Sequence, residues 1–466
     1  MPVVAAMAVV FSGCSLEVLN PGAIQDADLI LPELMPVLVS GVSAEYNDFG
    51  DTYAFSGGRL TDELAGTGSY GSTQEYRQGI FDWESSTGFW SQTHEAAWAA
   101  DQAWIRLQEV LGEAANTADI SARLFAIRGF SRIRLGENFC QVVFDVGDWE
   151  ERSAAFNRAI TDFNQAIAIG GAGNNWSIAA YAGIAQAQLG LASYGAGSWA
   201  AAGAAADAFF ANGGTDGYVD QAIYHAQANT NQVWNESWGR AEVGVYRTPA
   251  QDLWDTNADP RTPYTKCGTY DDQVSAYPLN VDGGVTPTGD CSGAGSGAHQ
   301  GADGDHAHYR QDKYTERGSD INRASGTEMR LIQAEAAMMA GDYAGFATAI
   351  NQIRAFNGMA DIVAPTELGA LVFPMNIANT TSAIQVLDRE RYATLWLEGR
   401  RLFDLDRWNH PFLDGNWIVG GAAEARRLSC MPIPKIECQL NPNLEDDANR
   451  SEERRVGKEG RSRWSP

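Results

Sequence analysis

A chain of 466 residues with 44% hydrophobic and 20% charged side chains can build a sizeable core, which excludes wholesale disorder. A formal net charge of −26 opposes nucleic acid and anionic lipid headgroups, and suits a neutral ligand, a cation or a protein partner. No stretch reaches the roughly 20 apolar residues needed to span a bilayer.

Val3 to Phe11 is an apolar run of small residues, and it ends in Phe11-Ser12-Gly13-Cys14. This has the form of a lipobox, in which residues 1–14 are a signal peptide and the Cys14 thiol carries the lipid anchor. An ordinary cleaved signal peptide and a buried N-terminal strand are the competing readings. Residues 15–24, with Asn20-Pro21-Gly22 as a turn, read as a tether, and residues 15–449 as a single domain.

Helical patterning starts near Asp26 and is expected to run to about residue 46. From Tyr46 to Trp83 the periodicity gives way to Gly and aromatics, as in Gly66-Thr67-Gly68-Ser69-Tyr70-Gly71. Residues 46–86 therefore read as a structured loop region. Helices are expected across 88–210, in segments near 88–115, 120–139, 153–169, 177–193 and 199–210. Ala122, Phe125, Ala126, Gly129 and Ile133 share one helical face; Ile178, Tyr181, Ala182, Ala185 and Leu189 share another.

Residues 212–323 lose the helical signal and are rich in Gly, Asp, Thr, Asn and aromatics. A stretch that long is not a plain loop; it reads as a partly helical insertion that carries function. Helices return across 327–408. Thr327–Met339 and Tyr343–Phe356 are split by Gly341-Asp342, which suits a C-cap followed by an N-cap. A charged helix is expected from about Thr381 to Trp408. Its Arg391, Glu398, Arg400, Arg401, Asp404 and Arg407 are assigned to a buried ion-pair lattice, with Arg400 and Asp404 spaced i,i+4 to pair. The basic segment 450–466 reads as disordered or non-native.

Of six cysteines, five remain once Cys14 is given to lipid. Export favours disulfides. Cys430 and Cys438 flank a Pro-rich turn and form one expected pair; Cys267 and Cys291 bracket a Gly/Asp-rich loop and form the other. A bridge of the second kind stabilises by roughly 3 kcal/mol through loop closure. Cys140, in Asn138-Phe139-Cys140-Gln141-Val142-Val143, is left as a buried free thiol.

Several segments together resemble the SusD/RagB family of outer-membrane nutrient-binding lipoproteins. The most specific is Asp388-Arg-Glu-Arg-Tyr-Ala-Thr-Leu-Trp-Leu-Glu-Gly-Arg-Arg-Leu-Phe-Asp-Leu-Asp-Arg-Trp408, similar to the family's C-terminal helix. Met431-Pro-Ile-Pro-Lys-Ile-Glu437 with Asn441-Pro-Asn-Leu444 resembles its ending. Arg330-Leu-Ile-Gln-Ala-Glu-Ala-Ala337 with Asn351-Gln-Ile-Arg354, and Ala122 to Phe130, resemble its internal helices. The resemblance implies an all-α, tetratricopeptide-like superhelix of helical hairpins with a large irregular insertion face that binds ligand. It further implies a cell-surface lipoprotein of the outer membrane that captures oligosaccharides, or in some branches peptides. The implied partner is a SusC-like TonB-dependent transporter to which the ligand is delivered.

No nucleophile elbow, zincin, P-loop or dinucleotide fingerprint is present, and nothing selects one carboxylate pair, so the chain reads as non-enzymatic, without cofactor or metal. His299, Asp303, Asp305, His306 and His308 are dense enough to hold a divalent ion, but a hydrated surface loop is the preferred reading. His94, between Trp90 and Trp98, reads as packed. Sugar recognition needs flat rings and hydrogen-bonding side chains. The loops supply Tyr46, Tyr53, Tyr76, Trp238, Tyr246, Trp254, Tyr264, Tyr309 and Tyr314, many of them core. Tyr70, Trp83, Trp234, Tyr270 and Asp62 are the ligand-binding candidates. A helical-repeat scaffold that binds only proteins and a secreted hydrolase are the competing functions.

Overall fold

The computed structural model describes residues 30–267, 291, 300–304, 306–415 and 426–444. Thirteen helices organise the description: α1 (Met35–Thr52), α2 (Gly71–Arg77), α3 (Thr87–Leu111), α4 (Asp119–Asn138), α5 (Ser153–Gly170), α6 (Asn175–Ser193), α7 (Trp199–Ala211), α8 (Pro249–Asn257), α9 (Gly326–Met339), α10 (Tyr343–Phe356), α11 (Ala383–Leu395), α12 (Arg401–Arg407) and α13 (Lys435–Leu440). The strands are short: β1 (Ala65–Gly66), β2 (Gln141–Val143), β3 (Trp149–Glu151), β4 (Val219–Ala222), β5 (Val243–Gly244), β6 (Tyr264–Lys266), β7 (Tyr309–Gln311) and β8 (Ile321–Ser325). They pair as four antiparallel ribbons, β1–β5, β2–β3, β4–β8 and β6–β7.

The long helices form a stack in which each packs on the next: α1 on α3, then α4, α5, α6, α7, α9 and α10, with α11 laid on α9. This is the helical-hairpin superhelix expected from the periodic faces. Small residues set its spacing. Phe156 and Phe163, both fully buried on α5, are each held between two glycines, one from α4 and one from α6. A Cβ on Gly129 or Gly183 would lie 2.6 or 2.2 Å from the Phe163 ring, and one on Gly136 or Gly190 would lie 2.8 or 2.4 Å from that of Phe156. Caps fix the hairpin turns: Asn174 accepts from Trp176 and Ser177 N–H, Ser198 from Ala201, and Asp342 from Gly345 at 2.8 Å, with Gly341 at φ 76°.

The stack passes from α7 straight to α9 although more than a hundred residues separate them in sequence. The β4–β8 ribbon, with Val219 opposite Ser325 and Ala222 opposite Ile321, brings the chain back to its point of exit. Described residues between the two strands form a separate hydrophobic cluster around Tyr224, Val233, Val245, Leu253, Tyr264 and Tyr309, packed against Leu64, Tyr392, Trp396 and Phe412.

Three expectations need correction. Helix α1 does not stop near residue 46; it runs to Thr52 and continues through a π-turn, Tyr53–Gly57, into a helical turn at Gly58–Leu60. Met35, Val39, Val42, Tyr46 and Tyr53 form one buried stripe along it, so Tyr46 and Tyr53 are core. The charged helix from 381 to 408 is two helices. The chain turns at Trp396 to Arg400, with Leu397 at φ 58° and Gly399 at φ 70°. Distant groups take up the exposed backbone: Leu397 N–H donates to Glu63 Oε1 at 2.7 Å, and Tyr314 Oη–H donates to Leu397 C=O at 3.0 Å. The third correction concerns the cysteines. Cys140 is bridged to Cys430, across 290 residues, and is not a free thiol. Backbone pairing of Cys140 and Asn138 with Met431 aligns the two. Cys438 is buried on α13 and not bridged to Cys430. Cys267 and Cys291 are joined.

The turn at Trp396–Arg400 redirects the charges. Arg400 reaches Glu137 at 3.1 Å and Glu328 at 3.3 Å rather than Asp404. Asp404 instead takes Arg391 and Arg407, both at 2.9 Å, and Arg407 also pairs with Glu335. Arg401 bridges Asp62 at 2.7 Å and Asp388 at 2.6 Å, and Glu398 pairs with Lys313 at 2.8 Å. All of these acids and arginines are buried. Burial alone would raise the Asp388 carboxyl, but Arg401 and His410 outweigh it and hold it at about 2. Glu390 sits at about 2 for the same reason, burial being outweighed by Arg261, Arg389 and Arg354.

Candidate ligand-binding face

The two loop regions singled out in the sequence meet. Ala65 pairs with Gly244 and Gly66 with Val243 in the β1–β5 ribbon. Beyond it, Thr67 N–H donates to Glu242 C=O at 3.0 Å, Asp303 N–H donates to Thr67 C=O at 3.0 Å, and Ala302 N–H donates to Ala241 C=O at 2.9 Å. Three segments, 65–70, 241–244 and 301–303, are thus laced backbone to backbone. Gly68 is required there: a Cβ would fall 2.0 Å from Glu242 Oε2. That carboxylate accepts Ser69 N–H at 2.9 Å and Ser69 Oγ–H at 3.3 Å. The loop so fixed delivers Tyr70 to the surface, 39% exposed, at the N-terminus of α2.

Rings from the insertion are fixed in the same way. Trp238 Nε1–H donates to Gln311 C=O at 2.7 Å and Trp234 Nε1–H to Thr315 C=O at 3.1 Å. Both indole N–H groups are therefore spent on the frame, and the rings present faces and edges rather than donors. Each ring carries an arginine: Arg240 lies 4.9 Å from the Tyr70 centroid, Arg310 3.4 Å from that of Trp238, and Arg317 5.6 Å from that of Trp234. Underneath, Tyr264 and Tyr309 stack at 5.5 Å and are buried, as is Tyr246, which meets Tyr309 edge-on at 5.3 Å.

The candidates divide accordingly. Tyr70 and Trp234 are on this face. Asp62 is not: it is fully buried and both its oxygens are taken by Arg401, so its place is in the ion-pair lattice. Trp83 belongs to another neighbourhood, half-buried against α13, where its C=O accepts Lys435 N–H at 3.1 Å and the Lys435 ammonium sits 5.6 Å from its ring. Tyr270, His299, Asp305 and Cys14 lie outside the described residues. Trp238 stands among the loop aromatics of the sequence but not among its ligand-binding candidates, and Arg240, Arg310 and Arg317 are not among them either. The alternation in Trp234-Asn-Glu-Ser-Trp238-Gly-Arg240 was the available signal.

The hydrated-loop reading of the histidine stretch is also corrected at His306 and His308. His308 is fully buried, and burial pushes its imidazole down to about 4, so it is neutral. His306 is largely buried, with Nδ1 2.7 Å from Asp303, beside Arg77. Among the described residues no group of three His, Cys, Asp or Glu side chains is placed to hold a metal ion.

Comparison with known proteins places this architecture. A model of the SusD family matches residues 149–449. No curated protein sequence matches the chain. Among solved structures, a SusD-like protein from Bacteroides fragilis NCTC 9343 is similar with a TM-score of 0.60 at 13% identity, covering 90% of this chain and 97% of that one. A chitin-binding protein is similar at 0.59 and 15% identity, covering 90% and 96%. A SusD-like carbohydrate binding protein from Bacteroides vulgatus ATCC 8482 gives 0.56 at 14%, covering 81% and 83%. At such identities the structural likeness speaks for the fold, and the family match covers well over half of the sequence: the chain belongs to the SusD family.

Proposed function

We propose that this protein is a lipid-anchored lipoprotein of the outer membrane, facing the cell exterior, that captures oligosaccharides on the Tyr70/Trp234/Trp238 face and delivers them to a TonB-dependent transporter. The observation that carries the reading is the rigid mounting of these rings at the junction of two loop regions. A ring held in place before binding loses little entropy when a sugar's apolar face stacks on it, so most of the contact energy appears as affinity. Family membership and the printed names of two structural neighbours, a chitin-binding and a carbohydrate binding protein, support the same ligand class. Nothing in this reading asks for bond-making chemistry, and we take the protein to be a binder rather than an enzyme.

Affinity electrophoresis and calorimetry against a broad glycan panel test the claim. Binding that weakens about tenfold or more in Tyr70→Ala and Trp238→Ala is expected; binding of peptides but of no glycan would transfer the face to the peptide-binding branch. Delivery is tested by co-purification from native membranes, where failure to recover a TonB-dependent barrel sinks the transporter role. Anchoring is tested by Cys14→Ala, which should release the protein from membranes.

A further inference from the structure

A net charge of −26 argues at first sight against an anionic ligand. The charge is not spread evenly. On the face just described, the acids are turned inward and already occupied. Glu242 accepts from Ser69, Asp303 pairs with His306, Asp312 accepts from Thr265 and from Arg310 at 3.1 Å, and Glu236 accepts from Asn235 at 2.9 Å. Arg240 lies 3.7 Å from Glu236 yet keeps 47% of its side chain exposed. Among the described residues of the three segments 61–78, 232–247 and 300–317, Arg240, Arg247 and Arg317 are exposed, against Glu75 and Glu316 as the exposed acids.

Position matters more than number. Arg240 lies over Tyr70 and Arg317 over Trp234, both rings of the face, and Arg247 lies 5.1 Å from the buried Tyr246 beneath it. A guanidinium held within about 6 Å of a ring centroid is partly ordered before it meets a ligand. Its N–H fork accepts an oxyanion through two parallel N–H···O bonds, which a neutral hydroxyl cannot fully use. The same surface therefore offers ring faces for the apolar side of a sugar and, at its margin, forks for an oxyanion.

Resting on the glycan-binding reading, we propose that the ligand is an acidic oligosaccharide, one whose sugar units carry carboxylate or sulfate groups. Arg240 and Arg317 bind the anionic groups while the rings beside them carry the sugar.

The discriminating probes share one sugar backbone. Oligogalacturonates of about four to six units and the same oligomers fully methyl-esterified differ at each carboxyl by the lost charge and one methyl group; chondroitin sulfate oligosaccharides add the sulfate source. Calorimetry on the full chain should show the acid form binding at least about tenfold tighter than its ester, or the sulfated oligomers binding where neutral glycans do not. Arg240→Gln and Arg317→Gln, both at exposed positions, should each remove about tenfold of that preference and leave the thermal midpoint unchanged. Equal binding of acid and ester without sulfated binding, or binding confined to neutral glycans, overturns the acidic-ligand inference and leaves the glycan reading standing. Absence of binding to every saccharide overturns both.

Discussion

Two regions of this molecule are rich in arginine and use it in opposite ways. Around α11 and α12 the guanidinium groups are buried and each meets carboxylates directly, as Arg401 meets Asp62 and Asp388. On the loop face they lie near aromatic rings, and their acids are held more loosely: Arg310 meets Asp312 at 3.1 Å and Arg240 meets Glu236 at 3.7 Å, while Glu242 is taken by Ser69. The first arrangement pairs each arginine with buried carboxylates and is closed to ligand. The second leaves cationic edges at the surface. Arginine content alone separates neither; what distinguishes them is burial and the ring beside the guanidinium.

The sharpest break of this contrast is on the lattice side. Arg401→Ala strands two buried carboxylates and should cost about 3–5 kcal/mol, read as a lower denaturant midpoint at unchanged slope. A loss under 1 kcal/mol would mean that water reaches the site. Next comes the clasp between the first hairpins and the C-terminal segment: Cys140→Ala with Cys430→Ala should cost about 2–5 kcal/mol. Non-reducing peptide mapping must also return a 140–430 linkage, and a 430–438 linkage would restore the sequence expectation.

A smaller effect sits where lattice and face touch. Burial pushes the Glu63 carboxyl up to about 8 from its usual 4.5. A raised carboxyl favours folding below its unfolded value, and the contribution is lost as pH rises through about 8. Asp388 and Glu390, held at about 2, act in the reverse sense: their contribution is present above the usual carboxylate range and lost as pH falls toward 2. Glu63→Gln keeps an acceptor for Leu397 N–H and should flatten the stability profile between about pH 5 and 8, leaving the acid limb unchanged. An unaltered alkaline limb would remove Glu63 from that role. Smallest in stability is Tyr70→Ala, expected within about 0.5 kcal/mol of the parent because the ring is exposed, yet expected to weaken glycan binding; a large loss of stability would make Tyr70 part of the frame.

The stacked helices were legible because their signals are local: periodic faces at Ala122–Ile133, and the Gly341-Asp342 cap pair. What was not legible depends on distant partners. Trp396 to Arg400 reads as helix until Glu63 and Tyr314 are seen to hold its backbone groups. Asp62 looked like a loop polar residue because Arg401 lies 339 positions away. Cys430 seemed committed to its sequence neighbour, whereas the partner chosen by the fold is 290 residues distant. The exposure of Tyr70 was legible because its loop has no periodicity to explain a ring. The arginines escaped because cationic side chains in a loop ordinarily read as solvated.

The Cys140–Cys430 bridge has a further consequence for how the chain meets a protease. It encloses most of the chain in one covalent loop, including the whole insertion and the stack from α5 to α12. A single cut anywhere within that loop leaves both fragments tied at the bridge. The pieces cannot diffuse apart, and the packed helices hold them in register. A nick in a surface loop then leaves the molecule assembled rather than lost.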